Sequence, residues 1–193
     1  MLDTHARKYV EPVIKKTAEQ LIHMGRTPNE VTIAALVAGV GTSVLYVLGQ
    51  PVIAVLLLWL SGFLDAVDGT MARSTSSSPF GTVMDVTFDR IVEIGMILAI
   101  AYVHPEVLWP LLLLSVSIII SMTIFLVVGA VSDRSGIKSF YYQAGLAERT
   151  EGFILFSLML LFPDFLLWST LLFIGVELFT GGQRFMEAKR ILK

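Results

Sequence analysis

The sequence predicts an all-α integral membrane protein, a bundle of six transmembrane helices with an amphipathic interfacial helix at its N-terminus. Three observations predict this fold class. The chain of 193 residues is 55% hydrophobic and has a mean hydropathy of +0.76, values outside the usual range of soluble domains. Six apolar segments approach the roughly 20 residues that a span requires. The basic residues lie on one side of these segments.

The six predicted spans belong to a single domain that covers residues 1–193. They lie roughly at residues 31–49, 51–72, 81–103, 107–132, 147–162 and 165–183. Residues 1–27 form a juxtamembrane helix, and residues 28–193 form the bundle. Because Thr27 and Asn29 are both good N-cap residues and Pro28 suits a first helical turn, the first span is predicted to start at this point.

The juxtamembrane segment has apolar and charged residues on different helical faces. The positions at helical spacing are Val10, Val13, Ile14, Thr17, Leu21 and Met24. Lys15, Lys16 and Glu19 occupy the other faces. This pattern predicts an amphipathic helix on the cytoplasmic membrane surface, with a soluble helix packed on the bundle as an equal alternative.

Lysines and arginines predict the orientation of the spans. The short connections around Gln50, Pro105 and Asp164 carry no basic residue. The opposite side carries Arg7, Lys8, Lys15, Lys16, Arg26, Arg73, Arg134, Lys138, Arg184, Lys189, Arg190 and Lys193. By the positive-inside rule, the protein is a multi-pass protein of the cell membrane with both termini and the active site on the cytoplasmic side.

Composition excludes several classes of function. A net charge of −2 without a dense basic cluster argues against a nucleic-acid partner. The chain has no cysteine, which excludes disulfides, thiolate metal sites and cysteine nucleophiles. His5, His23 and His104 do not show the spacing of metal ligands.

Four aspartates lie in the predicted spans two and three: Asp65, Asp68, Asp85 and Asp89. Each charge would cost about 2.5–3.5 kcal/mol at the centre of a bilayer, so these side chains are not expected to face lipid. Positions three or four apart share a helix face. A short turn between the two spans therefore brings two aspartate stripes together at the cytoplasmic end.

Convergent carboxylates repel one another unless some are protonated or cations are bound. Hard oxygen ligands favour Mg²⁺, here as two ions about 4 Å apart, with Mn²⁺ as the alternative ion. Gly69 and Gly81 leave space for a substrate, and Arg73 is suited to bidentate phosphate binding. Together these features indicate phosphoryl or nucleotidyl transfer. Taken singly, each glycine could instead serve helix packing, and Arg73 could serve as a membrane anchor.

The pattern reads Asp65-x-x-Asp68-Gly69-x-x-Ala72-Arg73, then seven residues, then Gly81-x-x-x-Asp85-x-x-x-Asp89. It resembles the signature of the CDP-alcohol phosphotransferase family, although the spacer is shorter than the family commonly has. The resemblance implies transfer of a phosphatidyl group from a CDP-linked lipid, such as CDP-diacylglycerol, to a polar alcohol, with release of CMP in phospholipid biosynthesis. It also implies a homodimer.

The same resemblance assigns roles to residues. Asp65, Asp68 and Asp85 would bind metal, and Asp89 would bind metal and act as the catalytic base. The residues implied in donor binding are Asn29, Glu30, Val31, Thr32, Gly69, Arg73, Ser78 and Gly81.

The acceptor alcohol is less defined. Residues 144–153 are similar to the segment that opens span five in family members with phosphorylated acceptors, including inositol phosphate. The candidate acceptor-binding residues are Arg134, Lys138, Arg149 and Arg184. For Arg149 the alternative is pairing with a glutamate: Glu148, Glu151 or Glu177. Since span four lacks the basic run usual in inositol-phosphate enzymes, inositol phosphate, glycerol phosphate and serine all stay open.

Intramembrane carboxylates are also typical of small cation transporters and channels, which form the alternative function. That class predicts acids spread through the membrane depth, whereas here they cluster at one side. A scaffolding protein would have no reason to bring four aspartates together. A further acid, Glu93, is predicted to pair with Arg90 or an opposing helix, with tuning of Asp89 as the alternative.

Overall fold

The protein is all-helical in the part that the structure, a computed structural model, describes: residues 2–132 and 149–192, with the backbone alone for residues 2–9. No strand occurs in these residues, as the sequence predicts. The helices are α1 (Leu2–His23), α2 (Pro28–Val47), α3 (Pro51–Ser74), α4 (Pro79–Val103), α5 (Leu108–Val131), α6 (Arg149–Leu161) and α7 (Leu166–Ile191), with short 3-10 helices at Pro105–Val107 and Pro163–Phe165.

Four of the described helices are long and apolar enough to cross a membrane: α2, α3, α5 and α7, the last two together with their 3-10 turns. Helix α4 has 25 residues, but Asp89, Arg90 and Glu93 interrupt its apolar run. Helix α6 has 13 residues and begins where the described part of the chain resumes. The prediction of an all-α membrane protein is confirmed, and the count of six spans stays a prediction.

The chain divides into two compact units, Leu2–Val103 and His104–Lys193. The first unit contains α1 to α4. The second contains α5 to α7. The prediction of a single domain over residues 1–193 stays a prediction.

Sequence signals fix the ends of the first helices. Gly25 and Gly49 both have positive φ, 76° and 74°, and lie just after α1 and α2. Glycine adopts this left-handed conformation without steric cost, so it stops a helix. The Thr27 hydroxyl accepts a hydrogen bond from the Glu30 amide, and the Glu30 carboxylate accepts one from the Thr27 amide. This capping box begins α2 and confirms the predicted cap, with Thr27 rather than Asn29 in that role.

Helix α2 packs against both α3 and α4 through small residues. A Cβ added at Gly39 would overlap the Val92 side chain of α4 and lie 3.0 Å from the Ser61 hydroxyl of α3. Ser61 also donates a 2.7 Å hydrogen bond to the Ala35 carbonyl. Small residues let helix backbones approach closely where lipid gives no hydrophobic drive to association. The two helices that carry the aspartates are therefore both seated on α2.

Helix α1 packs on the end of α3. Ala18 is buried in a cluster with Val31, Val67 and Met71, and Ile14, Leu21, Ile22, Phe63 and Leu64 surround it. Val10 and Val13 on the same helix are 45% and 56% exposed. Helix α1 thus has one face docked on the protein and apolar side chains on another, and its placement at a membrane surface stays a prediction.

In the second unit, α7 packs against both α5 and α6. Phe156 and Phe173 make an edge-to-face contact with ring centroids 5.1 Å apart. A Cβ at Gly181 would lie 3.6 Å from the Cα of Ser121, so the backbones of α5 and α7 approach closely. Large apolar side chains are exposed along all three helices, as a lipid-facing surface requires.

Candidate active site

Three carboxylates from two helices meet in the first unit. Asp65 of α3 and Asp85 and Asp89 of α4 each offer an oxygen atom within 4.8 Å of the others. All three side chains are half-buried. Because three hard oxygen donors face one small volume, the residues present fit a divalent cation such as Mg²⁺ or Mn²⁺.

Asp68 is buried, with 5% of its surface exposed, and does not belong to this group of three. Asp68 lies three positions after Asp65 on α3, which corresponds to a rotation of about 60° around the helix axis. The predicted role of Asp68 as a metal ligand stays a prediction. Asp65, Asp85 and Asp89 are the predicted ligands that the structure brings together.

Arg73 is exposed at the end of α3, and its side chain lies back along the helix. Its Nη2 donates a 2.9 Å hydrogen bond to the Thr70 hydroxyl. A Cβ at Gly69 would lie 3.3 Å from Arg73 Nη1. The absence of a side chain at Gly69 therefore leaves room for the guanidinium, which is the group suited to phosphate.

Thr70 is a residue that the sequence reasoning missed. Its hydroxyl donates to the Ala66 carbonyl at 2.8 Å, so its lone pairs are left for the Arg73 guanidinium. The i, i+3 spacing of Thr70 and Arg73 is the signal that could have identified it.

Three of the predicted donor-binding residues lie together where α2 and α4 begin. A Cβ at Gly81 would lie 3.1 Å from the Ser78 hydroxyl and 3.5 Å from the Asn29 side-chain oxygen. The Gly81 amide donates a 2.9 Å hydrogen bond to Ser78, which is the arrangement of a helix N-cap. The starts of α2 and α4 are thus adjacent, with polar side chains between them.

The other predicted donor-binding residues of α2 have structural contacts. Glu30 belongs to the capping box, and Val31 is buried in the cluster with Ala18. The Thr32 hydroxyl donates to the Pro28 carbonyl at 3.0 Å, and the residue is 6% exposed. Donor binding by these three residues stays a prediction.

Two of the predicted acceptor-binding arginines lie in the second unit. Arg184 is 7% exposed, donates from Nη1 to the Ser121 hydroxyl at 3.2 Å, and lies 4.8 Å from the Phe125 ring centroid. The Arg149 guanidinium lies 5.4 Å from the ring centroid of Phe153. Both arginines therefore have cation–π contacts that orient them. Arg134, Lys138 and Glu148 lie outside the described residues.

The predicted pairing of Glu93 with Arg90 is confirmed. The two side chains form an ion pair one turn beyond Asp89, with 29% and 21% of the Arg90 and Glu93 side chains exposed. Along α4, Arg90 directly follows Asp89, and Glu93 lies four residues after Asp89.

Comparison with known proteins identifies the family. A model of the CDP-alcohol phosphatidyltransferase family matches residues 26–186, which is most of the chain. The chain belongs to this family. The predicted resemblance is confirmed, and the protein is a transferase of the CDP-alcohol phosphatidyltransferase family.

Relatives come from bacteria and archaea. The inner membrane protein YnjF of Escherichia coli is 31% identical over 171 residues, which are 84% of this chain and 83% of the relative. A phosphatidylinositol phosphate synthase of Corynebacterium glutamicum is 29% identical over 162 residues, 80% of this chain and 71% of the relative. An archaetidylinositol phosphate synthase of Pyrococcus horikoshii is 32% identical over 96 residues, about half of each chain.

The fold is similar to that of solved family structures. The phosphatidylinositol phosphate synthase of Mycobacterium tuberculosis with CDP-DAG bound has a TM-score of 0.75 at 22% identity, covering 92% of this chain and 94% of that chain. The same enzyme in complex with manganese and citrate has a TM-score of 0.73 at 23% identity, covering 91% and 88%. At this identity the likeness concerns the fold.

Proposed function

We propose that this CDP-alcohol phosphatidyltransferase transfers the phosphatidyl group of CDP-diacylglycerol to a polar alcohol and releases CMP, in a reaction that requires a divalent cation. The observation that carries this proposal is the meeting of Asp65, Asp85 and Asp89 in the unit in which α3 ends with Arg73 exposed. Family membership supplies the donor class.

Different residues have different roles in the proposed reaction. The acceptor oxygen attacks the phosphorus that carries the diacylglycerol, and the bond from that phosphorus to the CMP oxygen breaks. Asp89 takes the proton of the attacking hydroxyl, because an alcohol is a poor nucleophile until deprotonated. Arg73 donates hydrogen bonds to the donor's phosphates, and Gly69, Gly81, Asn29 and Ser78 border the space for its head group. Glu30, Val31 and Thr32 follow Asn29 in α2 and support the same border of this space.

The carboxylates would hold the cation. When bound, Mg²⁺ offsets the charge that builds up on the phosphoryl oxygens and the leaving group. We propose Mg²⁺ as the natural ion and Mn²⁺ as a substitute, since both take oxygen ligands. Two ions are proposed, with the buried Asp68 contributing to the second. Asp89 has two oxygens, so one is left for the acceptor proton.

The acceptor proposed first is an inositol phosphate. Two curated relatives from different domains of life are named as synthases of inositol phosphate lipids. Arg149 and Arg184, with Arg134 and Lys138, would bind its phosphate, because guanidinium groups bind phosphate bidentately. Glycerol phosphate and serine are the competing acceptors.

The setting proposed for this reaction is the cell membrane. Both termini and the active site would face the cytoplasm, where CMP and a phosphorylated acceptor are soluble, and the lipid donor would arrive from the bilayer. The protein is proposed to act as a homodimer. Family membership argues against the alternative function, a cation transporter or channel with a cytoplasmic carboxylate site.

CMP release tests the reaction. Purified protein is given CDP-diacylglycerol with serine, glycerol 3-phosphate, inositol or inositol phosphate, with Mg²⁺ or EDTA, and product lipids are identified by mass spectrometry. We expect CMP and one lipid product with Mg²⁺ and inositol phosphate, and none with EDTA. Absence of CMP release with every acceptor in the presence of Mg²⁺ would contradict the proposed reaction.

Asp89→Asn tests the catalytic base. The variant should fold normally but lose at least about 100-fold in turnover, the range of a general base. The matched control is Asp164→Asn, because Asp164 is exposed in a connection away from the carboxylate group along the chain. Near-normal turnover of Asp89→Asn would exclude Asp89 as the base.

A further inference from the structure

Arg90 and Glu93 form a two-pronged ion pair on α4. Arg90 Nη2 donates to one carboxylate oxygen of Glu93, and Nη1 contacts the other. Only 29% and 21% of the two side chains are exposed. Exposed pairs at this spacing contribute little, but removing one partner of a largely buried pair leaves a charge without compensation.

Glu93 continues the face of α4 that carries the metal-binding carboxylates. Asp85, Asp89 and Glu93 are spaced by four residues, so each is rotated by about 40° from the last and lies about 6 Å further along the helix. Among the described residues, however, the group able to share a cation contains Asp65, Asp85 and Asp89 but not Glu93. Both carboxylate oxygens of Glu93 instead contact the Arg90 guanidinium.

We propose that Arg90 is a positioning residue for the metal centre. By engaging both oxygens of Glu93, it withholds a further carboxylate from the cation and keeps the pair electrically neutral one turn from Asp89. The inference rests on the proposed function, since it requires that Asp85 and Asp89 bind a cation. Arg90 exerts this effect through Glu93 rather than by touching substrate.

The two single substitutions should therefore change metal affinity in opposite directions. Arg90→Gln releases Glu93 and adds one negative charge near the cation, while Glu93→Gln adds one positive charge. A unit charge about one helical turn away at an effective dielectric constant near 20 is sufficient for a change of about tenfold. The double variant R90Q/E93Q is neutral and should bind the cation within about twofold of wild type.

Binding of Mn²⁺ alone, without substrate, measures this effect. The full-length protein in detergent is titrated with Mn²⁺, and the free ion is followed by its electron paramagnetic resonance signal. We expect about tenfold tighter binding for R90Q and about tenfold weaker binding for E93Q. In turnover assays at saturating Mn²⁺, R90Q should lower kcat with little change in the donor KM, because Glu93 then competes for the cation's coordination.

The Glu11 and Lys15 pair on α1 supplies the control. Its side chains are 39% and 61% exposed, so E11Q, K15Q and the double variant should leave Mn²⁺ affinity unchanged. If one single variant at Arg90 or Glu93 does not fold, the other single variant and the double variant carry the test.

Two results would overturn the inference while leaving the proposed function intact. One is equal Mn²⁺ affinity in the wild type and all variants. The other is a shift of both single variants in the same direction, which is the behaviour of a purely structural pair. Failure of the wild-type protein to bind Mn²⁺ would instead refute the metal centre, and with it both proposals.

Discussion

Gly69 is the residue whose substitution should best separate activity from stability. In Gly69→Ala the new Cβ would lie 3.3 Å from Arg73 Nη1, closer than ordinary van der Waals contact, so the guanidinium must shift by a few tenths of an ångström. We expect kcat/KM for CDP-diacylglycerol to fall about tenfold, because displaced phosphate-binding groups lower rates steeply. The thermal unfolding temperature should be unchanged or slightly higher, since alanine favours helix more than glycine does.

Gly175→Ala is the matched control for this substitution. Gly175 also lies in a helix, but within the described part of the chain no atom outside its own helical turn and chain neighbours lies within 4 Å of its added Cβ. The control should gain the same helix propensity without loss of activity. Equal activities for the two variants would show that the space beside Arg73 is not required.

At this scale the sequence predicts much of the site, for identifiable reasons. The pairing of Arg90 with Glu93 and the cap before Pro28 follow from local spacing, which one sequence contains. The burial of Asp68, which is 5% exposed, does not follow from local spacing, because it depends on helices that pack against α3.

Among elements, α2 should determine how α3 and α4 are arranged. Gly39→Ala places a methyl group in the space of the Val92 side chain, and Val92 lies three residues after Asp89. Overpacking of this kind costs about 1–3 kcal/mol. We expect a lower unfolding temperature in detergent and reduced turnover together, measured on the same preparation.

A second substitution tests the cause of that loss. Val92→Ala removes both methyl groups that the Gly39→Ala side chain would meet, so the double variant should recover a large part of the stability lost by Gly39→Ala. An additive loss in the double variant would contradict the contact between α2 and α4.

The element-level predictions succeed where periodicity and turns are informative. The turn between α3 and α4 follows from its Ser and Pro residues, and the start of α2 follows from Thr27 and Pro28. The close contacts of Gly39 with Val92 and Ser61 could not be predicted, because they join residues far apart in sequence and no local pattern encodes them. The charged residues of α4 that contribute to the candidate site also make this helix less apolar than an ordinary transmembrane helix.

For the whole molecule, the proposed orientation can be measured directly. The chain has no cysteine, so a single introduced cysteine is the only thiol. Ser76→Cys lies in the turn after α3 and Gln50→Cys just before α3, and both positions are exposed. In intact cells, a membrane-impermeant maleimide should label Cys at position 50 and reach position 76 only after the membrane is opened. Labelling of both positions in intact cells would contradict a membrane-spanning α3.

The seating of α3 and α4 on α2 has a consequence for the choice of ion. Mg²⁺ requires oxygen ligands at about 2.0–2.1 Å in near-octahedral geometry, whereas Ca²⁺ accepts about 2.3–2.6 Å and irregular arrangements. The distance from Asp65 to Asp85 and Asp89 depends on how closely two helices approach a third at Gly39. Discrimination by ionic radius would therefore be determined partly in a helix that contributes no ligand to the group.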